Sequence, residues 1–559
     1  MLKCEYTDEE IQDLTDRVFL LKEQIEAGKI HFAEHLIDGF RSSYEAIRIC
    51  SNGLVDPYSV DGRIRAATKA VQAFRDRSEA KNAVSLAEIQ ETYFNILFHQ
   101  FGWLYEQMQN AKLTPSDMAL AILRDTNLID QITKGLPKIA EHLTEFWKIV
   151  DDPGLYHLQD GSQLKATFAG DLFPAHWENA VSTAGLYIDT IVLPCPIMRI
   201  APLAKVMHAR ELAAIVIKHT LTAMTYKSLA TADIIPPIVV ILPNLNDIQA
   251  EDRSGLMTRA EPSILKHGAY LFGRDFTALE ELAEYCASLK TVEAVVKVLK
   301  RPDRLLFDTN WGGDAGEQLS RAMKEQKAQI PMMDPLIAGN HVYGTCHGRM
   351  LQALAAQDNA INVGGSPLIN AETSWRYYTW LLEYESIAGV TGGDEGIGLH
   401  VSRALTSEAG NNLSWLGHVP PETVLEIRKN GLAEELRNLL GQGVSELVNA
   451  APDNYNRTTD KVVNNLDVAF REHQRKLLEA RQQKLKLYGL DVGGCIATGA
   501  IAVTAALTGN PTLGVVSSLI SIFGLPNLKD IKSKFKEQAE GDRARKQSPT
   551  GLLFRHIKQ

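Results

Sequence analysis

Leu186-Tyr187-Ile188-Asp189-Thr190-Ile191-Val192-Leu193 breaks the texture of the chain around it. It is rich in β-branched side chains and is stopped by Pro194, so it reads as a strand. Two later stretches read the same way. Ile238 to Leu242 (IVVIL) is bracketed by Pro236-Pro237 and Pro243, and Arg304 to Asp308 (RLLFD) is short and ends in a carboxylate. A helix over Leu203 to Ala230 separates the first two, and helices around Glu261 to Lys266 and Ala278 to Lys300 separate the last two. Strand, helix, strand, helix, strand predicts a small α/β unit with crossover connections. The flanking prolines suit strand ends or edges, because proline cannot donate to a central ladder.

On either side of this unit the sequence reads as helix. Thr7-Asp8-Glu9-Glu10 is a capping box, in which hydroxyl and carboxylate each satisfy a free backbone donor at a helix start. Ile11, Leu14, Val18 and Leu21 follow at the spacing of one buried helix face. Thr114 before Pro115 is a second start, with proline at the first helical position where its missing N–H costs nothing. Asp151-Asp152-Pro153-Gly154 marks a boundary by composition. After Gly364-Gly365-Ser366-Pro367 the chain turns helical again, with Trp375, Tyr378, Leu382 and Tyr384 on a core helix. Short helices then lead to a long one over Thr459 to Leu487.

The fold class expected is mainly α: a multidomain helical protein with a small central α/β unit and a C-terminal apolar helical hairpin. The expected divisions are a helical domain over 1–150, the α/β domain over 151–330, a second helical domain over 331–458, and a long basic helix, hairpin and basic tail over 459–559. At 559 residues the chain is too long for one core. Its 45% apolar and 23% charged content is that of a globular protein that folds.

The hairpin is the segment from Val492 to Leu528, which contains no Asp, Glu, Lys or Arg and turns at Thr508-Gly509-Asn510-Pro511. Its arms, Val492 to Leu507 and Thr512 to Phe523, are 16 and 12 residues long. Both fall short of the about 20 that a spanning helix needs, so a buried pair is favoured over a membrane anchor. Basic side chains flank it: Arg471, Arg475, Lys476, Arg481 and Lys484 before, Lys529, Lys532 and Lys534 after. Such flanks suit contact with a protein partner or, conditionally, with an anionic membrane surface. A net charge of −10 does not indicate nucleic acid as the partner. The acidic, polar N-terminus and six cysteines with no CxxC spacing point to free thiols in a reducing cytoplasm, peripheral to a membrane at most.

Chemistry has two weaker candidates. Parallel sheets hold ligands at the carboxyl ends of their strands. Asp189, Asp308 and Asp314 are the carboxylates expected there, and hard oxygen donors of this kind would suit Mg²⁺ or Mn²⁺ in a metal-dependent hydrolase or nuclease. The competing reading is that Asp beside Asn and Gly builds turns. His341, Cys346 and His347 form the densest group of soft side chains, as a zinc site, a thiol nucleophile, or a buried thiol beside loop histidines. The leading functional expectation is a binding, scaffold or effector protein acting through partner contacts, with the metal-dependent hydrolase as the alternative.

Overall fold

In a computed structural model the described residues are 6–30, 34–174, 180–244, 250–325, 333–385, 394–406, 419–487 and 547–554. The chain divides into two compact units, one of residues 1–89 and 146–160, the other of residues 90–145 and 161–559. The architecture is mainly α with one small parallel sheet. Among the described residues no helix is long and apolar enough to cross a membrane. The apolar segment Val492 to Leu528, with Lys529, Lys532 and Lys534, lies outside the described residues, so the expected hairpin has no structural account.

The first unit is built on helices α1 (Asp8–Glu26), α2 (Glu34–Glu45) and α3 (Gly62–Ala83). The capping box at Thr7 is present: the Glu10 amide donates to the Thr7 hydroxyl at 3.2 Å, and the Thr7 amide to the Glu10 carboxylate at 2.8 Å. Leu14, Val18 and Leu21 form an apolar core with Val55, Val60 and Ile64. Helices α4 (Leu86–Asn110), α5 (Pro115–Ile122) and α6 (Thr126–Gln159) follow. Asp151 to Gly154, expected to separate domains, lie inside α6. Pro153 and Gly154 are buried there between Trp147 and Leu158, and packing outweighs the roughly 3 and 1 kcal/mol that Pro and Gly cost a helix interior.

The second unit carries four strands: β1 (Lys165–Ala169), β2 (Thr190–Pro194), β3 (Val239–Leu242) and β4 (Ser366–Ile369). They pair in parallel in the order β3-β2-β1-β4. Every strand residue is buried, so both faces of the sheet are covered. Between β1 and β2 lies α7 (Ala180–Ala184); between β2 and β3 lie α8 (Pro196–Ile200), α9 (Ala209–Thr225) and α10 (Lys227–Ala230). A long excursion returns from β3 to β4 through α11 (Ala250–Phe272), α12 (Leu279–Ser288), α13 (Val292–Val298), α14 (Ala315–Glu325) and α15 (Ala338–Val363). With α16 (Glu372–Glu385) these helices bury one large apolar cluster that includes Ala169 and Ile369 of the sheet. Next come α17 (Asp394–Thr406), α18 (Pro421–Lys429), α19 (Ala433–Gly441), α20 (Val444–Ala450), α21 (Tyr455–Leu487) and a last turn, α22 (Pro549–Phe554).

The strand set differs from the expected one in four places. Leu186 to Ile188 form a turn, so β2 starts at Thr190 and not at Leu186. Arg304 to Asp308 is not a strand: the Leu306 amide and carbonyl bond the Tyr377 hydroxyl at 3.3 and 3.2 Å, and the Phe307 amide donates to the Gln318 side chain at 3.2 Å. Side chains satisfy that backbone where a neighbouring strand would otherwise be needed. Conversely, β1 and β4 have no strong β signature; Pro367 is tolerated because β4 is an edge. The other edge is closed by Gln90, whose amide exchanges two hydrogen bonds with the Ile241 backbone, at 2.9 and 2.8 Å. It stands in for a further strand and blunts the edge.

Candidate functional site at the carboxyl edge of the sheet

Chain order and strand order together locate the natural ligand crevice. From β1 the chain steps outward through β2 to β3, then returns to place β4 on the opposite side of β1. The order of travel across the sheet therefore reverses between β1 and β4, and the carboxyl ends of such a pair are where open parallel sheets bind ligands. β1 leads there into Gly170-Asp171-Leu172-Phe173, and β4 into Asn370-Ala371-Glu372.

Gly170 has φ +94°, a backbone that side chains rarely adopt, and it turns β1 sharply at its end. Its carbonyl is held by the Ser374 hydroxyl at 3.2 Å and by the Gln352 side-chain amide. Arg349, from α15, is fixed beside it. Its guanidinium donates to the Ser374 hydroxyl at 3.3 Å, to the Gln352 side-chain oxygen at 3.1 Å and to the Phe307 carbonyl at 2.6 Å. All three acceptors are neutral, and Arg349 makes no ion pair among the described residues. Its guanidinium is thus oriented by neutral acceptors, while the Asp171 carboxyl acts on it electrostatically.

Asp171 sits next to it, with its own carbonyl accepting from the Arg199 guanidinium at 2.6 Å. Crowding by protein pushes its carboxyl above the usual range, against the opposing pull of Arg349 and Arg199; Asp308 adds to the rise and Lys218 opposes it. His219, 7% exposed, packs on Phe173 with ring centroids 6.2 Å apart. Burial, with Lys218 and Arg199 adding to it, pushes the imidazole down to about 3, so it is neutral at physiological pH.

The residues expected from the sequence fall elsewhere, with one exception. Asp189 precedes β2 and lies at the amino edge, not the carboxyl edge. Its carboxylate pairs with Arg428 and Arg437 and accepts from the Leu164 amide at 2.9 Å. Asp314 caps α14, accepting from the Glu317 amide at 2.9 Å while Glu317 returns a bond to the Asp314 amide at 3.1 Å. Asp308 is the exception. It builds a turn through the Asn310 amide at 2.9 Å and is also close enough to Asp171 to be felt electrostatically. Among the described residues no three His, Cys, Asp or Glu side chains are grouped to hold a metal ion, so neither Asp189, Asp308 and Asp314 nor His341, Cys346 and His347 supply one.

The Cys and His cluster lies on α15, where its members serve packing. His341 is 1% exposed, with Nε2 2.8 Å from the Pro335 carbonyl. His347 stacks on Tyr343 at 5.7 Å. Cys346 is 2% exposed, and burial holds its thiol well above the usual range, so the nucleophilic thiolate is disfavoured. Burial likewise pushes the neighbouring Cys286 up to about 12. Of the basic side chains read as a contact surface, Arg471, Arg475 and Lys476 are exposed on α21. Arg475 and Lys476 pair along the helix with Glu479 and Glu472 at 3.7 and 2.8 Å. The side chains of Arg481 and Lys484 lie outside the described ones.

Sequence reasoning missed Arg349, Arg199 and Asp171 because they flank strands it did not recognise or sit on helices far away in sequence. Gly-Asp directly after Lys165 to Ala169 was the available signal, and it needed β1 to be seen first. Comparison with family models, with curated proteins and with solved structures finds no match.

Proposed function

We propose that this chain is a binding protein whose α/β unit takes a small anionic ligand at the carboxyl edge of β1 and β4. The observation that carries this reading is Arg349, presented at the topological switch point and oriented by neutral acceptors alone. Arg199 stands at the same edge, donating to the Asp171 carbonyl at 2.6 Å. Titration calorimetry at low salt with inorganic phosphate, pyrophosphate and citrate tests it. At least one anion binds, and Arg349→Ala weakens it by about tenfold or more, the worth of a hydrogen bond to a charged group. Melting curves of both proteins separate lost binding from lost fold. Silence of every anion on the intact protein, or equal binding by a folded variant, overturns the reading.

The exposed Arg471 and Arg475 support a second role, docking of the C-terminal region on an anionic protein or membrane surface in the cytoplasm. The three carboxylates of the alternative, a metal-dependent hydrolase, take part in an ion-pair cluster, a turn and a helix cap, so the binding reading is the one proposed.

A further inference from the structure

We infer that His400 is an acid-sensitive latch: neutral, it pins the amino end of α21 to α17, and on gaining a proton it lets the first turns of that helix open. The device is separate from the anion site, and it acts on the element that carries the exposed Arg471, Arg475 and Lys476.

The latch joins one side chain of α17 to the chain on both sides of the α21 start. His400 is 1% exposed and stacks on Tyr455, the first residue of α21, with ring centroids 4.1 Å and planes 17° apart. Its Nε2 is 2.9 Å from the Pro452 carbonyl, which only accepts, so Nε2 carries the proton. Nδ1 then accepts from the Thr458 hydroxyl at 3.1 Å, one turn into the helix. Trp375 of α16 meets Tyr455 edge to face at 4.8 Å.

A proton on Nδ1 reverses the bond to Thr458, whose hydroxyl can turn to the Asn454 carbonyl at 3.4 Å, so hydrogen bonding alone does not resist it. The charge does. It would be buried at the first turn of α21, where free backbone N–H groups already make the helix end positive. The neighbours give little relief. Asp453 favours the cation but is exposed, and Arg403, one turn along α17, is paired with Glu372 of α16. Arg457 and Asp460 of α21, Glu446 of α20, and Glu434 and Glu435 of α19 are exposed; Lys461 lies against Gly443, and Arg437 pairs with Asp189. Burial pushes the Tyr455 and Tyr378 hydroxyls up, so both stay neutral, and α7 and β4 carry no ionisable side chain. Burial accordingly holds the imidazole below its ordinary range, against the Pro452 bond and Asp453. The contact keeps its full worth above the free value of about 6.5 and loses it as pH falls below that toward the docked value. Val462 and Leu466 stay buried farther on, so only the first turns open.

Hydrogen exchange of the full chain at pH 7.5 and 5.5, corrected for the intrinsic effect of pH, tests this. Opening of residues 455–463 is expected to rise about threefold to tenfold at pH 5.5, the reach of one proton, while the strands and α15 change little. His219 and His267 are also buried and pushed down to about 3, so equal loosening around them would mark a general acid effect and overturn the latch. His473, farther along α21, would loosen the helix beyond Leu466, and a rise confined there overturns it too. In His400→Gln the side-chain amide can give Pro452 an N–H and offer Thr458 an oxygen without any charge, and the rise disappears. A rise that survives in that variant, or none in the wild type, overturns the inference. If the variant is already open at pH 7.5, titration of the His400 ring by NMR in the wild type decides: a value below about 6.5 that the opening follows supports the latch, and a value at or above it overturns it.

Discussion

Asp189 stands at the amino edge of the sheet, where Arg428 and Arg437 converge on its carboxylate. It is 8% exposed, and burial alone would raise its pKa; the hydrogen bond and charge of Arg428, with the charge of Arg437 and the Leu164 amide, outweigh that and hold it below the usual range. Arg428 also donates to the Ile188 carbonyl at 2.6 Å and Arg437 to the Tyr187 carbonyl at 3.0 Å. The cluster therefore fixes α18 and α19 to the turn that opens β2. Because the folded pKa is depressed, the stabilisation is fully present above the unfolded value of about 3.9 and is lost as pH falls through the folded one. Asp189→Ala leaves the Arg428 charge buried without its partner and is expected to cost about 3–5 kcal/mol at pH 7 in urea unfolding, with the difference shrinking below about pH 4. An unchanged urea midpoint would show that the cluster is not structural. The sequence made Asp189 visible as a charge within an apolar run, but whether it stands before or after the strand depended on a turn over Leu186 to Ile188 that β-propensity did not expose.

At the scale of elements, what was legible followed the strength of the local signal. The caps at Thr7 and Thr114 were written in adjacent residues and are present as read. Val239–Leu242 was bracketed by prolines and is a strand; Lys165–Ala169 and Ser366–Ile369 owe their strand state to pairing with partners distant in sequence, which no local window contains. The Asp308 and Asp314 loop has the composition of both a turn and a metal site, and only its partners decide between them. Asp314→Ala should destabilise by about 1 kcal/mol, the worth of an N-cap, and Mg²⁺ or Mn²⁺ should not raise the melting temperature of either protein. A metal-induced rise that the variant abolishes would restore the metal reading. Packing of α15 against α12 is a sharper case. A Cβ on Gly339 would stand 1.8 Å from the Cys286 carbonyl oxygen, and the Gly339 amide donates to the Leu289 carbonyl at 2.9 Å. Backbone faces backbone there, so Gly339→Ala is expected to lower the melting temperature strongly, by overpacking worth about 1–3 kcal/mol or more. A melting temperature within a degree of the wild type would refute that packing.

At the scale of the whole molecule, the second unit holds the chain on both sides of the apolar segment. Before it, α21 packs on α17 and α19, burying Val462 and Leu466. After it, α22 returns to α18, α19 and α21, and Leu552 and Leu553 are 1% and 0% exposed. The described chain on either side of residues 488–546 is thus packed on the same body, and this changes how the role of the apolar segment must be tested. Cutting the chain after Leu487 removes two buried leucines, each worth about 2–5 kcal/mol by truncation, so it would damage the fold whatever the apolar segment does. Leu552→Ala and Leu553→Ala are expected to lower stability by that amount with the segment intact. Deleting residues 492–528 and joining the ends keeps α22 and removes only the uncharged stretch. If the segment serves docking on a membrane, the full chain floats with vesicles containing anionic lipid while the deletion stays in the aqueous fraction with an unchanged melting temperature. If it is a core element, neither protein floats and the deletion alone melts early, a result that would leave the basic face of α21 to a protein partner.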